Sequence, residues 1–170
     1  MIAERIEPQK ATESVQLISP LGNSESFFTI FVEDEIFGLP VSQTQTIFRV
    51  EKITAIPGGP KDIAGLVNLR GKVVTAVSLR RRLGLPPALS SSGSFALGVD
   101  YGSDSFALIV DRIGDVLTLK ESSKIAMPPH LDAQRLHYTS ALYRTEAVLL
   151  PILDPGKLFD MSCQSLSISR

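Results

Sequence analysis

From Phe27 onward the chain is a succession of short runs rich in Val, Ile, Phe and Thr, each broken within roughly six to ten residues by Gly, Pro, Asp or Ser. β-Branched and aromatic side chains pack well on a pleated surface, so this texture predicts a many-stranded β protein with few helices. Phe28 to Val32 and Ile36 to Val41 flank Glu33-Asp34-Glu35, three acids that read as a water-exposed hairpin turn. Ser42 to Ile47 is read as one helical turn, with extended segments following at Phe48 to Val50 and Ile53 to Ile56. Pro57-Gly58-Gly59-Pro60 is a loop by composition.

Between Ile63 and Leu85 two apolar runs reverse around Arg70-Gly71, where glycine supplies the positive φ of a tight turn. Ser78 then caps a short helix carrying Arg80, Arg81 and Arg82, which Gly84 and Pro86 terminate. Ser90-Ser91-Ser92-Gly93-Ser94 is the low-complexity stretch and reads as a linker.

After the linker the theme begins again. Phe95 to Tyr101 and Ser105 to Val110 form a second strand pair around Gly102-Ser103-Asp104, and Phe106-Ala107-Leu108 echoes Phe37-Gly38-Leu39. Leu149 to Asp154 likewise echoes Val73 to Ser78, with an insertion assigned to Met127-Pro128-Pro129-His130 and the turn from Leu131 to Arg135. Two similar half-domains follow, each of about five strands, and curling each sheet into a small barrel removes its unpaired edges. Such barrels are filled by side chains, which leaves edges and the groove between halves for function.

Composition narrows the choice. At 170 residues with 44% apolar and 21% charged positions, the chain fits one globular domain. Seventeen basic against eighteen acidic side chains give a net charge of -1, which argues against a generally cationic nucleic-acid or membrane-surface protein. A single cysteine, Cys163, leaves no internal disulfide, and with only His130 and His137 beside it the chain is poorly stocked for zinc. No metal or cofactor is expected, and a reducing cytoplasm fits best. Apolar runs such as Phe106 to Val110 are far shorter than the roughly 20 residues that cross a bilayer, so no membrane insertion is expected. Residues 1–25 read as a flexible leader, and Cys163 reads as an idle thiol.

Chemistry is sparse. His137 and Tyr138, read as part of a strand beside Ser140, would make a hydrolytic device only if distant parts converged. The run Arg80 to Arg82, with Lys72, offers a small-barrel nucleic-acid module as the alternative function, but no aromatic side chains interleave with it for base stacking.

The block from Ile63 to Leu85, IAGLVNLRGKVVTAVSLRRRLGL, together with FTIFVEDEIFGLPV, FALIVDRIGDVLTL and AVLLPILDPGKLF, resembles the CheW-like family of chemotaxis adaptors. The resemblance spans about Phe27 to Phe159. It implies a mostly β fold of two five-stranded SH3-like barrels packed side by side with a few short helices. The domain would cover residues 26–160, the first barrel about 26–90 and the second about 94–160, with strand exchange between halves left open, and a tail at 161–170. It also implies no catalysis, and a bridge between a chemoreceptor cytoplasmic tip and the regulatory domain of a CheA-type histidine kinase, recruited to the membrane through receptor arrays. By position, Thr44, Thr46, Asn68, Arg70 and Gly71 would lie at the receptor-binding groove, and Phe95, Leu97, Ile113 and Val116 on the kinase-facing surface of the second barrel. Where the family usually has a glutamate to pair with the turn arginine, this chain has Thr46. Thr75 and Ser78 stand where proline and aspartate are usual, which points to a specialised adaptor, for example one serving pilus-driven motility. Arg70 is then solvated, paired with another acid such as Glu51, or reserved for a partner carboxylate.

Overall fold

A computed structural model describes residues 22–88 and 93–162. Most of the leader, most of the serine-rich linker and the tail with Cys163 lie outside the described residues.

Among the described residues eleven strands form two sheets. One has six strands: β1 (Ser24–Val32), β2 (Glu35–Pro40), β8 (Arg112–Lys120), β9 (Lys124–Ile125), β10 (Thr139–Arg144) and β11 (Leu149–Leu153), in the order β8-β1-β2-β11-β10-β9. The other has five: β3 (Thr44–Arg49), β4 (Ile63–Leu69), β5 (Lys72–Ser78), β6 (Phe95–Tyr101) and β7 (Asp104–Val110), in the order β3-β6-β7-β5-β4. The short helices α1 (Leu79–Arg82), α2 (Ala133–Tyr138) and α3 (Pro155–Leu158) complete the set. The protein is mostly β with two SH3-like units.

The sheets do not divide at residue 90, so the barrel bounds of 26–90 and 94–160 do not coincide with them. β1 and β2 join strands from the second half of the chain, while β6 and β7 join strands from the first. The sequence echoes explain why. In the six-stranded sheet β11 runs parallel to β2 with Ile152 opposite Gly38. In the other sheet β5 runs parallel to β7 with Ala76 opposite Ala107. In the echo Gly38 corresponds to Ala107 and Ile152 to Ala76, so the two contacts are equivalent: the hairpin strand of each half pairs with the later strand of the other half, not with its own counterpart. Size complementarity fixes the contact, because a Cβ on Gly38 would fall 2.5 Å from Ile152 Cδ1.

Helix and turn assignments need two corrections. Ser42 to Ile47 is not a helical turn: a 3-10 turn covers Val41–Gln43, and β3 begins at Thr44. His137 and Tyr138 end α2 rather than lying in a strand, because Asp132 Oδ1 accepts the N–H groups of Gln134 and Arg135 and starts a helix there.

Three apolar cores result. Phe27, Tyr143, Leu150 and Ile152 fill the six-stranded sheet. Val67 and Val74 with three alanines fill the narrower five-stranded one. Between the sheets lies a shared core, in which Ile30, Phe37 and Leu39 meet Leu97, Val99 and Leu108. Burial against this common core welds the two units into one body.

Candidate functional site

The β4–β5 hairpin pairs Leu69 with Lys72, leaving a two-residue loop of Arg70 and Gly71. Both take positive φ, 52° and 86°, as a turn matching strand twist requires. Asn68 Oδ1 accepts the Gly71 N–H at 2.7 Å and holds the turn. Left-handed backbone is costly for a side chain with Cβ, so the strain at Arg70 is borne where a guanidinium is presented to solvent. Arg70 Nη2 donates to Thr46 Oγ1 at 3.2 Å on β3, at the opposite end of the strand order. Gly98 permits this approach: a Cβ there would lie 2.9 Å from Thr46 Cγ2 and 3.2 Å from Leu69 Cδ2.

Thr46, Asn68, Arg70 and Gly71 therefore converge. Thr44 sits two residues from Thr46 and uses its hydroxyl differently, donating to the Pro40 carbonyl at 3.1 Å across the passage between sheets. Among the described residues no carboxylate forms an ion pair with Arg70, Glu51 included. Beside the turn, Val73 lies opposite Asn68 with 63% of its surface open to water. A cation, an amide and an apolar side chain are thus presented together.

The second predicted group divides. Phe95 lies on the five-stranded sheet, and Ile113 and Val116 on the six-stranded one, so the four residues do not share one barrel. Phe95 and Ile113 both flank the shared core and are half-buried there. Val116, 48% exposed, lies opposite Phe28 on β1. Leu97 is corrected outright: at 0% exposure it belongs to the shared core, because its strand is central and its face is covered by the other sheet. Sequence reasoning missed Phe28 and Ile47, which border the same seam: Phe28 packs on the shared core, and partly exposed Ile47 is the register partner of Leu97. Arg49, whose guanidinium sits 5.4 Å over the Phe95 ring, was missed as well. The available signal was Ile47-Phe48-Arg49, two apolar residues and a cation closing an otherwise polar strand.

The arginine run faces inward or along the protein. Arg80 binds Asp111 through Nε and Nη2 at 3.0 and 2.6 Å. Burial alone would raise the Asp111 carboxyl, but the Arg80 guanidinium and the Glu33 N–H outweigh it and hold it below the usual carboxylate range. Arg81 donates to the Lys61 and Ile63 carbonyls. Arg82 is 3% exposed, 2.8 Å from Asp62 Oδ2 and 6.0 Å from the Tyr138 ring. Lys72 Nζ reaches Ser105 Oγ at 3.5 Å. Nothing in this arrangement supports the nucleic-acid alternative.

His137 packs edge-on against Tyr138, and Ser140 Oγ donates to the Ile152 carbonyl at 3.3 Å. Among the described residues no group of three His, Cys, Asp or Glu side chains is placed to hold a metal ion, and no helix is long and apolar enough to cross a membrane.

Two small sheets welded through one core, with polar side chains gathered at a turn and apolar ones along a seam, define a module built for docking to other proteins. The chain belongs to the CheW-like domain family, whose profile matches residues 26–163. It is 26% identical to the chemotaxis protein CheW of Bacillus subtilis (strain 168) over 85% of this chain and 92% of that protein. It is 26% identical to CheW of Treponema pallidum (strain Nichols) over 81% of this chain and 84% of that protein. The fold resembles the crystal structure of the scaffolding protein TtCheW from Thermoanaerobacter tengcongensis, with a TM-score of 0.73, 24% identity, and coverage of 82% of this chain and 95% of that one.

Proposed function

We propose that the chain is a non-catalytic adaptor that couples chemoreceptors to a CheA-type histidine kinase in chemotaxis or a related motility pathway. The observation that carries this reading is the separation of two surfaces on one rigid body. The Arg70 turn gathers Thr46 and Asn68 at one end of the five-stranded sheet, while Phe95 and Ile113 flank the shared core from both sheets. The receptor cytoplasmic tip docks at Thr44, Thr46, Asn68, Arg70 and Gly71. The kinase regulatory domain docks along Phe95, Ile113 and Val116. Holding both partners on one molecule raises their effective concentration, so individually weak contacts build a stable assembly. The work is done in the cytoplasm, at the membrane only through receptors.

Calorimetric titration of the full chain with the kinase regulatory domain and, separately, with a receptor cytoplasmic fragment tests the reading. Binding to both is expected, with Arg70→Glu weakening the receptor contact alone. No heat with either partner from the same cell defeats the proposal.

A further inference from the structure

Helix α1 is four residues long, yet it carries contacts that tie one sheet to the other. Arg80, with 16% of its side chain exposed, grips both oxygens of Asp111. Asp111 is the single residue between β7 and β8, where the chain leaves the five-stranded sheet for the six-stranded one. Its Oδ2 also accepts the Glu33 N–H at 2.7 Å, in the β1–β2 turn of the six-stranded sheet. Glu33 Oε1 in turn lies 3.4 Å from Arg80 Nη1, which donates to the Pro86 carbonyl at 2.9 Å. One guanidinium from the five-stranded side therefore holds the crossover and a turn of its neighbour.

Two residues on, Arg82 points elsewhere, as i and i+2 on a helix must. Its carbonyl accepts from Gln134 Nε2 of α2 at 2.6 Å, and its guanidinium meets Tyr138 at the end of that helix. Because α2 leads directly into β10, this second contact also spans the two units. The sheets are pinned on both sides of α1, over and above the shared apolar core, whose attraction is not directional.

We infer that Arg80 is a positioning residue: by its forked grip on Asp111 and its contact with Glu33 it fixes the angle between the sheets, and kinase control through the ternary assembly depends on that angle while each binary contact does not. This rests on the adaptor reading above. The fork matters because two parallel N–H···O bonds fix orientation, whereas an ammonium supplies a point charge. A bivalent connector whose halves rock still holds both partners, but spreads their relative orientations and loses effective concentration in the productive one.

The test uses the full chain carrying Cys163→Ser with Lys72→Cys and Lys120→Cys, two exposed positions, one per sheet, bearing thiol-linked nitroxides, and electron–electron distance measurement. Binding and kinase stimulation are measured on unlabelled protein. In Arg80→Lys and Asp111→Ala the distance distribution widens at least twofold, binary dissociation constants stay within twofold, and receptor-dependent kinase stimulation falls at least fivefold. Val67→Ala, which destabilises the inner core of one sheet, keeps the narrow distribution and the stimulation. Unchanged width in Arg80→Lys and Asp111→Ala overturns the inference, as does full stimulation despite widening, or an equal loss in Val67→Ala. Absence of binary binding by the unsubstituted chain defeats the adaptor reading instead, and the distance measurement still reports on the clamp.

Discussion

Leu97 offers the sharpest separation between a docking residue and a core residue. Its side chain is fully buried in the shared core, on β6 between β3 and β7. On one side its register partner is Leu108, also fully buried, and on the other Ile47, 39% exposed. Leu→Ala in a core costs about 2–5 kcal/mol, the upper end belonging to sites that cannot collapse. Here the Leu108 side is held by the sheet and the Ile47 side can relax, which places Leu97→Ala near the middle, at about 3 kcal/mol. With a urea slope of about 2 kcal/mol/M for a chain of this class, the unfolding midpoint falls by about 1.5 M. Urea titration followed by circular dichroism reads this directly, and calorimetry at low denaturant reads kinase binding on the folded fraction. A midpoint shift under about 0.5 M, combined with lost kinase binding, would place Leu97 on a surface and refute the burial argument.

Three further outcomes follow from the turn, its support and the clamp. Arg70→Gly relieves left-handed strain of about 1–2 kcal/mol against a backbone-entropy cost of about 1 kcal/mol, so stability holds or rises slightly while receptor binding falls; a loss of unfolding free energy above about 1 kcal/mol in urea titration would make the Thr46 bond structural. Gly98→Ala forces Thr46 and Leu69 apart and costs about 1–3 kcal/mol by thermal unfolding, with a weakened receptor contact; an unperturbed melt would show that β3 has room to move. The Asp111 carboxyl is held below its ordinary 3.8, so its contribution is fully present above that value and is lost as pH falls through the lower folded value. Asp111→Asn therefore flattens the acid limb of stability as pH falls below 3.8, and an acid limb identical to the parent's would sink the assignment.

Strands and turns were legible because each has a local physical cause. Arg70-Gly71 between two apolar runs specifies its hairpin, and Glu33-Asp34 specifies another, since strand twist admits few two-residue loops. The echoes of Phe37-Gly38-Leu39 and Phe106-Ala107-Leu108 were legible too, but their meaning was not. An echo marks equivalent environments; it does not say which copy pairs with which, and pairing across halves puts Gly38 opposite Ile152. The error at Leu97 has a related origin. Phe95-Ala96-Leu97-Gly98-Val99 is apolar or small throughout, as a strand buried on both faces is, so alternation cannot reveal an outward face. The α2 segment was missed because six residues carry little periodicity, although Asp132 was a usable N-cap signal.

The arginine run shows how adjacency along a chain differs from adjacency in space. Successive residues of a helix are turned about 100° from one another, so three consecutive arginines in one turn diverge and do not form a patch. A basic stripe able to track a phosphate backbone needs spacings of three and four, which place charges on one face. Here divergence sends Arg80 to Asp111, Arg81 to two backbone carbonyls and Arg82 to Asp62 beneath Tyr138. Arg70, at its strained turn, has no carboxylate partner among the described residues, and its neighbours Asn68 and Val73 are exposed with it. A guanidinium held out at a cost in backbone energy, with one Nη2 hydrogen given to a neutral hydroxyl, retains the remaining N–H donors and its whole charge for a forked bond to an incoming carboxylate. On that ground an acidic side chain on the receptor tip is the complement that this version of the turn requires, and exchanging that acid for its amide should weaken binding to the parent chain while leaving binding to Arg70→Gly unmoved.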